Sequence, residues 1–232
     1  MLSFIIPAHN EEALIGHTLG ILRASADQLG EVYEIIVVDD ASTDRTAAVA
    51  ISGGASVVRI DRRQIAASRN AGAEAARGDV LIFVDADTRV PVETLRSSLA
   101  AIEAGAVGGG ARFVVEPGAP RWLAWAAVFT AAMMRLLHWA AGCFIFARRD
   151  AFESVGGFDE RYYATEEIVL SRALKKRGRM VIVKDPVVTS ARKARLYDLP
   201  HVMRLMFRLM TGGQRALRRR EGLELWYDGR RE

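Results

Sequence analysis

Cysteine is almost missing from this chain: Cys143 is the only one in 232 residues. An internal disulfide is therefore excluded, as is a zinc site built from several thiolates, and a reducing cytoplasm is the compartment that fits. Long apolar runs are missing too. The first eight residues are apolar but short, carry no basic leader and run into Pro7 and the pair Glu11-Glu12, so they read as a first strand rather than a secretory signal. Residues 121–146 are apolar and aromatic, but Arg135 and His138 interrupt them. The expectation there is a helix, either packed in the core or lying along a groove or an interface, not a membrane span. The spaced glycines of a dinucleotide site are absent as well. Gly108-Gly109-Gly110 has Phe113 where a third spaced glycine would be needed, so these glycines read as the flexible start of a strand.

What is present is enough for one sizeable α/β domain with a large core, half of the residues being hydrophobic. Charge is unevenly placed. Residues 191–220 hold nine Lys and Arg against Asp198 alone, a surplus of eight in a chain whose total is +4, so the remainder carries −4. A mildly acidic body with a basic C-terminal part points toward an anionic partner. Nucleic acid is disfavoured, because the arginines lack interleaved aromatic platforms. Within this part Leu199, Val202, Met203, Met206, Leu209 and Met210 recur at helical spacing, with His201, Arg204 and Arg208 on another face. Such a helix suits either a solvated core side or an anionic membrane surface. The expected organisation is a domain over 1–190 and a basic, amphipathic, helical extension over 191–232 packed on it. The expected location is cytoplasmic, with peripheral attachment to the inner face of the membrane.

Along the body, apolar strand patterns at 2–6, 34–38, 56–60 and 80–84 alternate with helical patterns at 11–26, 45–51 and 65–77, the last closed by Gly78. A further strand is expected at 143–147, and a helix opening at Glu166 with Thr165 as its N-cap. Continuous apolar strands separated by helices indicate a mostly parallel sheet covered on both faces, with ligands beyond the carboxyl ends of its strands. The polar clusters sit at those ends: Ala8-His9-Asn10-Glu11, Asp39-Asp40 and Asp85-Ala86-Asp87.

Two carboxylates at i and i+2 behind a strand end can face one point and hold a hard divalent cation, magnesium or manganese, with water and phosphate completing its shell. Such an ion neutralises a departing diphosphate. The same pattern also serves as an acidic turn between a strand and a helix. Glu166-Glu167 has its own bland reading, since a helix N-terminus favours acids electrostatically.

The motifs taken together reach further. Ile5-Ile6-Pro7-Ala8-His9-Asn10-Glu11-Glu12, Val37-Val38-Asp39-Asp40-Ala41-Ser42-Thr43-Asp44, Ser68-Arg69-Asn70-Ala71-Gly72, Asp85-Ala86-Asp87, Gly156-Gly157-Phe158-Asp159-Glu160 and Thr165-Glu166-Glu167 follow in an order that resembles the family 2 glycosyltransferases of GT-A fold. The resemblance covers roughly residues 1 to 180. It implies an inverting transfer of a sugar from a UDP- or GDP-type nucleoside-diphosphate sugar to an acceptor hydroxyl, lipid-linked acceptors included, with a divalent metal. Pro7, Ala8 and Glu11 would line the nucleotide pocket, and Asp39 would accept from the base edge. Arg69 would lie near the nucleotide or diphosphate. Asp85, with Ala86 beside it, would face the ribose or sugar, and Asp87 would ligate the metal. The family's base is an Asp, and Glu167 stands in its place with Glu166 as the alternative. The Gln-x-x-Arg-Trp motif of many membrane-linked members is not reproduced, since Arg218 is followed by Arg219.

Two other readings remain open on sequence alone. One is a non-catalytic protein that binds nucleotide sugars. The other is a phosphatase or phosphotransferase with an Asp nucleophile, although its usual D-x-D-x-T spacing fails here because Thr88 directly follows Asp87.

Overall fold

The structure is a computed structural model describing residues 1–192 and Arg218. The chain runs β1 (Leu2–Ala8), α1 (Ile15–Asp27), β2 (Tyr33–Asp40), α2 (Thr46–Ser52), β3 (Ser56–Ile60), α3 (Ile65–Ala75), β4 (Val80–Val84), β5 (Thr88–Arg89) and α4 (Val92–Glu103). It continues through β6 (Gly108–Val115), α5 (Arg121–Leu137), β7 (Phe144–Arg148), α6 (Arg149–Ser154), α7 (Glu166–Lys175) and β8 (Met180–Thr189). The eight strands form one sheet in the order β3-β2-β1-β4-β7-β6-β8-β5. β3, β2, β1 and β4 are mutually parallel, β7 lies antiparallel between β4 and β6, and β8 is parallel to β6.

Because side chains alternate across a strand, successive residues of the central strands serve opposite layers. Phe4, Ile6, Ile35, Val37, Ile82 and Val84 pack in one core with Ile15, Leu19 and Leu22 of α1 and Leu95 of α4. Ile5, Ile36, Val38, Leu81 and Phe83 pack in the other with Ala66 and Ala73 of α3, Phe152 of α6 and Leu170 and Leu174 of α7. A strand covered on both faces has no polar side to offer, hence the unbroken apolar runs.

Several local expectations change. β1 continues through Pro7 to Ala8, because its ladder with β4 ends at Ile5 and Pro7 sits where β1 has β2 as its neighbour, so a missing N–H is tolerated. The triple glycine opens β6, and its cause is close approach rather than flexibility: a Cβ on Gly109 would lie 1.9 Å from the Val181 carbonyl oxygen. α3 stops at Ala75, where Ala76 turns extended. Thr165 occupies the N-cap position of α7, but its backbone is left-handed (φ 65°) and its hydroxyl caps nothing. That conformation is costly for a β-branched residue.

β8, β5, α4 and α6 have no counterpart among the expected elements. α5 packs on β6 with Ala127 and Ala131 buried, while Trp125, Phe129 and Leu136 are more than 70% exposed. No helix among the described residues is long and apolar enough to cross a membrane. The amphipathic pattern at 199–210, its membrane role and the packing of the 191–232 extension fall outside the described residues, apart from Ala191, Arg192 and Arg218.

Candidate active site

The carboxyl ends of β1, β2 and β4 open on one crevice, closed on the other side by the start of α7. Among the described residues, four of the five non-glycine positions with positive φ border it: Asn10, Ala41, Arg63 and Thr165. Strained backbone of this kind concentrates at functional sites.

The two aspartates that end β2 do different work. Asp40 accepts from the backbone N–H groups of Arg62 (2.8 Å), Arg63 (2.6 Å) and Gln64 (2.8 Å) and from the Ser68 hydroxyl (2.9 Å), which fixes the loop entering α3. Asp39 is also buried, yet among the described residues it accepts one long bond, 3.3 Å from the Ser42 N–H. Pro7 and Ala8 pair with Val38 and Asp39 at the same end of the sheet. His9 lies beside them, its Nδ1 2.7 Å from the Asp40 carbonyl and its Nε2 3.2 Å from the Arg63 guanidinium.

Arg69 organises the opposite wall. Its guanidinium is 2% exposed, donates Nη1 to Glu166 Oε1 at 2.6 Å, and donates Nη2 to Asp85 Oδ1 at 3.1 Å and to the Gly142 carbonyl at 2.8 Å. The Phe158 ring covers it at 5.2 Å. Arg69 thus joins α3, the end of β4, the approach to β7 and the start of α7 in one buried network. The Nη atoms are committed to protein acceptors and frame the site from within, while the buried Nε has no partner among the described residues. Asn70, its neighbour, donates to the Phe158 carbonyl and accepts from the Phe158 N–H, both at 2.9 Å, so the Gly156–Glu160 turn is pinned to α3 just before Glu166 and Glu167.

Asp85, Ala86 and Asp87 form a tight turn. The Asp85 N–H donates to the Cys143 carbonyl (3.2 Å), the Asp85 carbonyl accepts from the Thr88 N–H (3.0 Å), and the Ala86 carbonyl accepts from the Thr18 hydroxyl (2.7 Å). Ala86 therefore holds the turn against α1 through its backbone. Burial, and then the charges of Asp85 and Asp87, push the Cys143 thiol far above its ordinary range, so it stays protonated. Among the described residues no group of three or more His, Cys, Asp and Glu could close a metal shell. The donors present are two hard carboxylates in one turn, Asp85 being one-third exposed. That set fits magnesium or manganese held by one or two carboxylates and completed by ligand phosphate and water, not an all-protein cage.

Glu166 is buried, and its Oε1 accepts from Arg69 Nη1. Glu167 is half-buried, and a Cβ on Gly142 would lie 3.8 Å from its carboxyl carbon and 3.4 Å from Arg69 Nη2. Burial, then the Glu166 charge, pushes its carboxyl up from about 4.5 to about 8, with Arg69 opposing the rise. Proton affinity well above the usual carboxylate range marks a group suited to taking a proton.

Glu11 and Arg192 complete the crevice. The Glu11 N–H donates to the Thr46 hydroxyl (2.8 Å), and its carboxylate meets the two Nη atoms of Arg192 at 2.9 Å each. Arg192 also reaches to 3.9 Å from Asp87 Oδ2. Sequence reasoning places Arg192 in the basic C-terminal part and gives it no site role. Its one signal would have been an antiparallel pairing of β5 with β8, which carries Asp87 and Arg192 to the same end.

This sheet, with its strand-end crevice, is the GT-A glycosyltransferase fold. The chain belongs to the family described as Glycosyl transferase family 2, which it matches over residues 3–156. It is 36% identical over 110 residues to an undecaprenyl-phosphate 4-deoxy-4-formamido-L-arabinose transferase of Shewanella sediminis, a match covering 44% of this chain and 33% of that protein. The chain thus spans about a third of the length of such curated relatives. Among solved structures, it resembles a mannosyltransferase from Pyrobaculum calidifontis in complex with GDP-Man and Mn2+, with TM-score 0.67, 23% identity, and coverage of 88% of this chain and 59% of that one. It also resembles residues 1–349 of S. aureus TarS in complex with UDP-GlcNAc, with TM-score 0.65, 19% identity, and coverage of 82% and 58%.

Proposed function

We propose that the protein transfers a sugar from a nucleoside-diphosphate sugar to an acceptor hydroxyl with inversion at the anomeric carbon. The observation that carries this reading is Glu167: a half-buried carboxylate of raised proton affinity, beside a neighbour that Arg69 has taken out of play. Pro7, Ala8 and Asp39 receive the nucleotide. Asp87 would hold manganese or magnesium with Asp85 nearby, and the ion would supply charge neutralisation for the departing diphosphate. Asp85 and Ala86 shape the sugar side. Glu167 takes the proton from the acceptor O–H, the oxygen forms the new bond to the anomeric carbon, and the bond to the diphosphate oxygen breaks with its electron pair leaving on the nucleoside diphosphate. One base and one displacement give inversion. Glu166 holds Arg69 and thereby the geometry.

The presence of a base bears on the acceptor. A hydroxyl needs its proton removed as it attacks, whereas a phosphate monoester is already anionic near neutral pH. The relatives named for undecaprenyl-phosphate make a lipid-linked acceptor the natural class to try, and Glu167 favours a lipid-linked hydroxyl over the lipid phosphate itself. Peripheral binding to an anionic membrane surface agrees with the basic C-terminal composition.

The test is turnover of a panel of UDP-, GDP- and dTDP-sugars with manganese and hydroxyl or phosphate lipid acceptors, with the anomeric configuration of the product read by NMR. Nucleoside diphosphate release with an inverted product supports the reading. A retained configuration, or phosphate ester hydrolysis without sugar transfer, overturns it.

A further inference from the structure

Arg192 stands at the metal side of the crevice, and its placement is built rather than incidental. β5 pairs antiparallel with β8 through Thr88 and Thr189, so Asp87, just before Thr88, and Ser190, just after Thr189, leave the sheet together. Glu116 then fixes the departing chain: it accepts from the Ala191 N–H (3.1 Å) and the Ser190 hydroxyl (3.3 Å), and Arg89 of β5 holds its other oxygen at 3.2 Å. The Ser190 hydroxyl in turn accepts from the Arg192 N–H at 3.1 Å. Ala191 is 1% exposed, which anchors the backbone, and the next side chain delivers its guanidinium between Glu11 (2.9 Å) and Asp87 (3.9 Å) with 14% of its own surface exposed.

We propose that Arg192 is a placeholder cation: without donor it neutralises Glu11 and Asp87, and it yields Asp87 to the divalent ion and turns its fork to the diphosphate when metal and nucleotide load. The proposal rests on the reading of Asp87 as the metal ligand. Its physical core is simple. A divalent ion on the Asp87 carboxylate and a guanidinium 3.9 Å from one of its oxygens repel each other in a shielded crevice, so the two compete. Once displaced, the guanidinium finds the diphosphate as the anion within the crevice, and a planar fork of donors is the group that matches phosphate oxygens. Glu11 is then freed at the same moment, which couples donor binding to a rearrangement of the chain after β8. Donor-free protein would therefore bind metal weakly by construction, and metal and nucleotide would bind cooperatively.

Manganese binding by the full chain, followed by EPR of the free ion and without nucleotide, reads this directly. Arg192→Gln should bind Mn2+ about tenfold more tightly than the unaltered protein, since a nearby positive charge is gone. With Mn2+ present, it should bind UDP or GDP, whichever the unaltered protein takes, about tenfold more weakly. Arg192→Lys keeps the charge without the fork and should lose nucleotide affinity while leaving Mn2+ affinity near the original; it also serves should the Gln variant fail to fold. Asp87→Asn separates the two readings. If it loses Mn2+ while Arg192→Gln gains no affinity, the placeholder role is wrong and the metal assignment stands. If Asp87→Asn binds Mn2+ as the unaltered protein does, the metal assignment itself is wrong, and the proposal falls with it.

Discussion

Arg69 and Glu166 lie 97 positions apart in the chain, yet their side chains meet at 2.6 Å with 2% and 7% of their surfaces exposed. The same guanidinium reaches Asp85 and the Gly142 carbonyl. A buried ion pair costs desolvation of both partners, so its presence is weak evidence for stability in itself; breaking it is another matter.

Replacing Arg69 by Met should therefore destabilise the fold by about 3–5 kcal/mol, because Glu166 is left charged, buried and unpaired. Urea unfolding measures it. Arg69→Lys should recover only part of the loss, since one ammonium cannot reproduce the geometry that joins Glu166, Asp85 and Gly142. Removing Arg69 also removes a positive charge that lowers the Glu167 pKa, so any residual activity should need a higher pH.

In the proposed reaction Glu167 sets the pH dependence. As a base it must be deprotonated, so kcat/KM should rise with pH and level off above about 8. Stability moves the other way. Its folded pKa is raised from about 4.5 to about 8, so the folded state binds the proton more tightly than the unfolded chain. The resulting stabilisation is fully present below about 4.5 and is lost as pH rises through about 8. Relative to Glu167→Gln, the unaltered protein should grow less stable between pH 5 and pH 9 in denaturant titrations; an unchanged difference would refute the raised pKa.

Asn70 is a positioning residue. Asn70→Ala removes two reciprocal 2.9 Å bonds to Phe158, at a cost of about 1–3 kcal/mol, and loosens the turn that leads to Glu166 and Glu167. The expected signature is a lower kcat with nucleotide affinity nearly unchanged, measured by steady-state kinetics beside calorimetry with UDP or GDP.

Gly72 brings α3 hard against the sheet. A Cβ there would lie 2.3 Å from Ile5 Cγ2 and 2.9 Å from Val38 Cγ2, both fully buried residues. Alanine in a helix is favoured over glycine by about 1 kcal/mol. Overpacking a core with no room costs about 1–3 kcal/mol. Gly72→Ala should thus be net destabilising in urea, the reverse of the usual helix result.

The contrast between legible and illegible parts follows from locality. The strand at 80–84 coincides with the structure because a strand buried on both faces writes an uninterrupted apolar run, and the one at 56–60 coincides although it is an edge strand with Ser56 and Arg59 exposed. Asp85-Ala86-Asp87, Arg69 and Glu166-Glu167 could be placed in one site because each sits in a short motif of the family resemblance, and Arg69, inside α3, contacts both Asp85 and Glu166. β8 was hidden for a physical reason: Lys184-Asp185-Pro186 breaks its pattern, and the ladder with β6 absorbs the proline in a register shift between Ala111 and Phe113. Thr165 had the composition of a cap but not its backbone, which only tertiary packing decides. Arg192 was out of reach because its partners, Glu11 and Asp87, come from strand ends far away in sequence.

The division of labour between Glu166 and Glu167 is the centre of the account, and one comparison tests it: single-turnover sugar transfer by Glu167→Gln beside its affinity for the donor nucleotide with manganese. The account predicts a loss of transfer of a hundredfold or more, on the order of what a positioned general base supplies, with nucleotide affinity kept within about threefold. Transfer at the unaltered rate in Glu167→Gln would contradict it.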